Sequence, residues 1–193
     1  MRRASAATGF DGSASLNDFW EYNPDTNAWT QKADFRGTAR YGATGFAIGN
    51  RGYLGTGYDG TYCKDFWEYN PDTDAWTQKA NLDLGTIIPY GRIYAVGFSI
   101  GTKGYAGLGF RQGLFSFTYQ DFWEYDPAAD TWTLKASLPE GSRLNAVGFS
   151  IGTKGYVGLG YQNLGTPVYY QDFWEYDPAA DAWTRKADFG GDP

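Results

Sequence analysis

Short segments in which bulky apolar residues alternate with small or polar ones run along the chain, separated by Gly, Asn, Asp and Pro. In the C-terminal quarter, Asn145-Ala-Val-Gly-Phe-Ser-Ile151 predicts a short strand and Gly152-Thr-Lys-Gly155 a tight hairpin turn. Tyr156-Val-Gly-Leu-Gly-Tyr161 predicts a second strand, whose alternate glycines leave one face bare for close approach of a neighbouring backbone. After a variable stretch, 162–171, the run Asp172-Phe-Trp-Glu-Tyr-Asp177 sets Trp174 and Tyr176 on one face of a third strand and Phe173 and Glu175 on the other. Pro178-Ala-Ala-Asp181 predicts a turn: proline presets φ, Asp177 can cap its own backbone, and Asp181 tolerates the left-handed region. Ala182-Trp-Thr-Arg-Lys186 completes four short antiparallel strands, the make-up of one propeller blade.

The third-strand line and its turn are written four times, beginning at Asp18, Asp65, Asp121 and Asp172, and these lines contain all eight tryptophans. A recurrence of about 50 residues is the period of a propeller built from units of that size. The pattern resembles the kelch repeat: an aliphatic strand, a glycine-bearing strand, a Tyr shortly before a Trp, and a short fourth strand. Here Tyr22, Tyr69, Tyr125 and Tyr176 precede Trp29, Trp76, Trp132 and Trp183. The adjacent glycine pair of that family is split, as Gly55-Thr-Gly57, Gly107-Leu-Gly109 and Gly158-Leu-Gly160. The Asp-Phe-Trp-Glu-Tyr-Asp-Pro wording is similar to kelch proteins of bacterial surfaces, which implies an extracellular or cell-surface setting.

The expected fold is therefore all-β, a kelch-type β-propeller of four blade units in one domain, 1–193, divided at approximately 1–35, 36–84, 85–140 and 141–193. The first unit differs. Thr8-Gly-Phe-Asp-Gly12 matches Thr56-Gly-Tyr-Asp-Gly60, so the chain opens in a second strand and blade one lacks its innermost strand. A rival alignment sets Ala7-Thr-Gly-Phe10 on Ala43-Thr-Gly-Phe46; the distance to Asp18 favours the former. Three readings follow: a piece of a longer ring, a partial ring completed by another chain or copy, or an unusual four-bladed ring. The fourth-strand tryptophans are expected to lie between blades, each covering on the order of 200 Å².

Composition narrows the chemistry. Histidine is absent, which removes His-based nucleophile systems and imidazole metal sites. A net charge of −6, with its Lys and Arg spread evenly, disfavours nucleic acid as a partner. No run of 18 apolar residues suggests membrane insertion. The single Cys63 has no internal disulfide partner, and no secretory leader is visible. No cofactor or metal is expected, since the lone aspartates that open each third strand lack calcium-loop spacing and are assigned to backbone capping.

The candidate binding residues lie where the repeats differ. The loops between second and third strands carry Tyr62, then Phe115, Phe117 and Tyr119, then Tyr169 and Tyr170, flat apolar faces beside amides that suit a glycan or peptide. The same loops could instead pack on adjacent blades or a partner subunit. Arg40, Arg92 and Arg143 recur before the first strand. Resemblance to kelch domains that bind acidic peptides implies that they point into the channel mouth; alternatively they bond the carbonyls of the preceding loop or a neighbouring blade's acid. Glu21, Glu68, Glu124 and Glu175 are expected to face solvent or pair with fourth-strand lysines. The expected function is a non-catalytic module for protein or glycan recognition or self-assembly. The alternative is a carbohydrate-active enzyme like the kelch-type sialic-acid epimerases, for which no catalytic residues stand out.

Overall fold

Strands this short, joined by tight turns, pair with their chain neighbours, and each repeat accordingly forms its own antiparallel sheet. The computed structural model describes residues 4–82, 91–114 and 116–191. Blade one consists of β1 (Ala4–Phe10), β2 (Ser15–Asn23) and β3 (Ala28–Gln31). Blade two holds β4 (Thr44–Ile48), β5 (Arg51–Gly55), β6 (Phe66–Asn70) and β7 (Ala75–Lys79). Blade three has β8 (Val96–Ile100) and β9 (Lys103–Gly107), a small hairpin of β10 (Phe110–Arg111) and β11 (Phe117–Thr118), then β12 (Phe122–Asp126) and β13 (Thr131–Lys135). Blade four repeats this with β14 (Val147–Ile151), β15 (Lys154–Gly158), a hairpin of β16 (Tyr161–Gln162) and β17 (Val168–Tyr169), β18 (Phe173–Asp177) and β19 (Ala182–Arg185). In blade one the described residues supply three strands, in order β1-β2-β3, which fits the alignment of 8–12 with a second strand.

The outer hairpin shows why the sequence recurs. Its register sets each Tyr directly opposite its Trp, as in Tyr69↔Trp76 and Tyr125↔Trp132. The turn between them uses Asn70 or Asp126 to accept the backbone N–H two residues on, and ends on Asn27, Asp74, Asp130 or Asp181 at φ 48–52°. Only short polar side chains occupy that region readily, because they can bond locally. The last of these also accepts the Tyr hydroxyl, at 2.7–2.8 Å in all four blades.

Each blade then grips the one before it. The indole Nε1 of Trp76, Trp132 and Trp183 donates to the backbone carbonyl of Ala33, Ala80 and Ala136 in the preceding blade, at 2.8–3.0 Å. The N–H groups of those alanines donate to Asp74, Asp130 and Asp181, each at 2.9 Å. Edge-on aromatic pairs surround this link: Phe19 with Trp76, Phe66 with Trp132, Phe122 with Trp183. Such pairs add about 0.5–1.5 kcal/mol beyond the area they bury.

One expectation is corrected here. Trp29 is not buried between blades; it is 54% exposed where Trp76 is 5%, because in this structure no blade precedes its own. The alternate glycines of the second strands do admit close backbone, as expected: a Cβ on Gly57, Gly109 or Gly160 would strike the carbonyl of Tyr41, Ile93 or Leu144. Other glycines face the preceding blade's side chains: a Cβ on Gly104 would strike the Phe46 ring and one on Gly155 the Phe98 ring, while one on Gly97 or Gly148 would first strike Thr44 or Val96. Gly107 and Gly158 admit the carbonyls of Asp121 and Asp172 in their own blades.

Candidate functional site

Because the strands of a blade alternate in direction, the loops from second to third strand share one end of the blades with the links from fourth to first strand. Every described residue singled out in the sequence as a binding candidate lies at this end. The structure divides those residues into two groups.

The arginines belong to the framework. Arg40, Arg92 and Arg143 are among the most completely buried side chains. Each makes a two-pronged pair with the aspartate opening its own blade's third strand: Arg40 with Asp65, Arg92 with Asp121, Arg143 with Asp172. The same guanidinium donates to the carbonyl of Thr56, Leu108 or Leu159, at 2.9–3.1 Å. Those three residues have φ of 59–62°, unusual for Thr and Leu, so the bond secures a backbone turn that costs about 1–3 kcal/mol to hold. The second aspartate oxygen accepts the indole N–H of Trp67, Trp123 or Trp174, at 2.6–2.7 Å. Burial alone would raise the pKa of Asp172, but the hydrogen bonds from Arg143 and Trp174 outweigh it and hold the carboxyl below its ordinary range. Of the two sequence readings, the arginines thus take the one in which they bond a loop carbonyl and an acid, but the acid belongs to their own blade and not to a neighbouring one. The aspartates, assigned from the sequence to backbone capping, are the acids of these pairs.

Each arginine therefore fastens both ends of a variable loop. Leu159 and Asp172 flank the stretch 160–171, Leu108 and Asp121 flank 109–120, and Thr56 and Asp65 flank the shorter 57–64. Two candidate aromatics are absorbed by the same clamp. Tyr119 is buried with its ring 4.2 Å from the Arg92 guanidinium, and half-buried Tyr170 lies 3.9 Å from that of Arg143. A cation over a tyrosine face is stabilising when desolvated. The repeated glutamates are similarly engaged: Glu68, Glu124 and Glu175 accept the hydroxyls of Tyr53, Tyr105 and Tyr156, and Glu175 also pairs with Lys186. This pairing with second-strand tyrosines was not anticipated, although both residue types recur at fixed spacing.

Other aromatics remain at the surface. Half-buried Tyr62 packs edge-on against Tyr58, with centroids 5.0 Å apart; Tyr58 meets Tyr41, and Tyr41 meets exposed Phe10, each at 5.7 Å. The four form a continuous belt across blades one and two. Tyr94 adjoins it: burial first, then the proximity of Tyr41, Tyr161 and Tyr62, raises its hydroxyl pKa. Phe117 and Tyr169 are exposed on the small hairpins of blades three and four, and Tyr169 pairs with Tyr161 at 5.6 Å. Phe115 lies outside the described residues. Between Tyr58, Tyr62, Arg111 and Gln112 opens a cleft of about 360 Å³, floored by Gly60, Thr61 and Gly91. Sequence reasoning missed Phe10, Tyr41, Tyr58, Tyr94 and Tyr161. The signal was present: Tyr41 follows Arg40 and Tyr58 follows Gly57, two positions that the backbone bridges, as it does Leu144 and Tyr161.

Cys63 is buried and follows Tyr62, one of the residues lining the cleft. Burial pushes its thiol up to about 12, and its Sγ contacts the Thr61 carbonyl at 3.6 Å. The thiolate is the reactive form. At pH 8 the folded chain is expected to react with a thiol reagent at least about a hundredfold more slowly than the urea-unfolded chain. Equal rates, read by absorbance, would show that Cys63 is accessible.

Comparisons with known proteins agree with this geometry. Residues 9–36 match the family model described as the Kelch motif. The solved structure of YjhT superposes with a TM-score of 0.73 at 18% identity, covering 96% of this chain and 66% of that one. The fold is that of a kelch-repeat β-propeller. The chain thus spans about two thirds of the length of that solved structure. A search of curated proteins finds no match. Among the described residues no group of three acidic or cysteine side chains could hold a metal ion, and no helix is long and apolar enough to cross a membrane.

Proposed function

We propose that this kelch propeller is a non-catalytic recognition module that binds a protein segment or a glycan at the aromatic end of its blades. The observation that supports this most is the Phe10–Tyr41–Tyr58–Tyr62 belt beside the cleft of Tyr58, Tyr62, Arg111 and Gln112. Flat half-buried rings offer apolar contact at small entropic cost, and neighbouring amide and guanidinium groups orient what lies on them. The repeated charged residues, by contrast, are committed to framework pairs, so recognition falls to residues that differ between blades.

Glycan and peptide arrays probed with the chain test the proposal. A binder is expected, and Tyr58→Ser with Tyr62→Ser should weaken it at least tenfold while the circular dichroism spectrum is unchanged. Unweakened binding in that double variant would move the site elsewhere. Chemical conversion of a bound sugar would overturn the non-catalytic assignment in favour of the carbohydrate-active enzyme.

A further inference from the structure

Three times in this chain, the fourth-strand side of one blade docks on the Phe-bearing side of the blade before it. Among the described residues one copy of each side is also left uncovered. On blade four the exposed side holds Phe189, Ile151, Phe149 and Val147. Their counterparts are covered elsewhere: Phe189 is 57% exposed where Phe35, Leu82 and Leu138 are buried, and Ile151 is 62% exposed where Ile100 is 8%. On blade one the exposed side holds Trp29, Asn27 and half-buried Tyr22, where Tyr69, Tyr125 and Tyr176 are buried.

We infer that blade four of one molecule docks on blade one of a second copy of this chain, repeating the internal blade contact between molecules. The partner is a second copy because the two faces match group by group. Ala187 stands where Ala33, Ala80 and Ala136 present their N–H and carbonyl, and it is exposed. Trp29 carries the indole donor and Asn27 the side-chain acceptor that those groups meet in the other three contacts. Phe189 and Phe173 would receive Trp29 and Tyr22, as Phe35 and Phe19 receive Trp76 and Tyr69.

The charges agree as well. Inside the chain, Lys32 reaches Asp74 and Lys135 reaches Asp181 across the blade boundary, at 4.0 and 3.9 Å. At the two free faces the lysine of that pair is kept, as Lys186, and its aspartate is replaced by Asn27. Asn27 is neutral, and Lys186 is already paired with Glu175 in its own blade at 2.9 Å. A contact between these faces therefore leaves no buried lysine or aspartate without its partner, a defect that interfaces avoid. Because the two faces differ, the contact is heterologous, giving a ring if the rotation closes and a row of molecules if it does not.

Sedimentation of the 193-residue chain, with Phe189→Asp and Trp29→Ala variants, tests this. Both substituted side chains are largely in solvent, so the fold should survive, as the far-ultraviolet spectrum would confirm. The parent is expected to form species heavier than the 21.4 kDa monomer, and each variant to sediment as monomer at the same concentration. An equimolar mixture of the variants should recover a heavier species, since blade four of one and blade one of the other remain intact. A parent that stays at 21.4 kDa over the accessible range would overturn the inference, as would association unaffected by either variant. Association that is lost in both variants but not recovered on mixing would overturn the head-to-tail pairing.

Discussion

Replacing Arg143 by alanine is expected to remove about 3–5 kcal/mol of stability, because it leaves the Asp172 carboxylate buried without its partner. The side chain is fully buried and its loss also frees the Leu159 and Gly141 carbonyls. Replacing the pair together, Arg143→Met with Asp172→Leu, should cost much less than the two single changes added, since no orphaned charge remains. The pH dependence has a definite sign. The Asp172 carboxyl is held below its ordinary range in the folded protein. Its contribution is therefore complete above the pH at which an unfolded aspartate titrates, and it fades as pH falls through the depressed folded value. Urea titrations at pH 7 should show the full gap between parent and Arg143→Ala, and titrations near pH 2–3 a narrower one. A gap of less than about 1 kcal/mol at pH 7 would show that the pair does not secure the blade.

Trp76→Ala is expected to cost about 3–5 kcal/mol, as for other large buried aromatics. Its indole bond to Ala33 and its edge-on contacts with Phe19 and Phe35 would all be lost. Trp29→Ala, with the same local sequence around it, should cost under about 1 kcal/mol when measured at concentrations low enough to keep the chain monomeric. Thermal melts of the two variants provide the comparison. Equal losses would mean that these tryptophans stabilise their own hairpins, where Tyr69 and Tyr22 face them, rather than the boundary between blades.

The propeller was legible because period, alternation and turn chemistry pointed the same way. The Tyr-to-Trp spacing reports a hairpin register, and the Asn or Asp that closes the turn reports a left-handed residue. What the sequence concealed were the partners of repeated residues. Arg143 and Asp172 are both visible as repeats, yet nothing in their spacing says that one blade's own acid, rather than a ligand, fills the guanidinium fork. Tyr119 and Tyr170 looked like surface aromatics on the same grounds as Phe117 and Tyr169; only the fold shows that the first two lie against arginines. Trp29 misled for a related reason, because burial of a repeated residue depends on the neighbouring unit and not on its own motif. The aromatic belt was missed because its members come from two different segments of each blade and meet only after the backbone bridges them.

The arginine that fastens Leu159 to Asp172 also sets a rule for inheritance. The same fastening spans a longer insert in blades three and four than in blade two, so it tolerates lengthening, and lengthening a closed loop costs little entropy. Each fastening is thus a splice point: what lies between its ends can be exchanged, extended or randomised while the blade around it keeps its geometry. A lineage carrying this repeat can diversify what it recognises at one end of the molecule without renegotiating how the molecule folds.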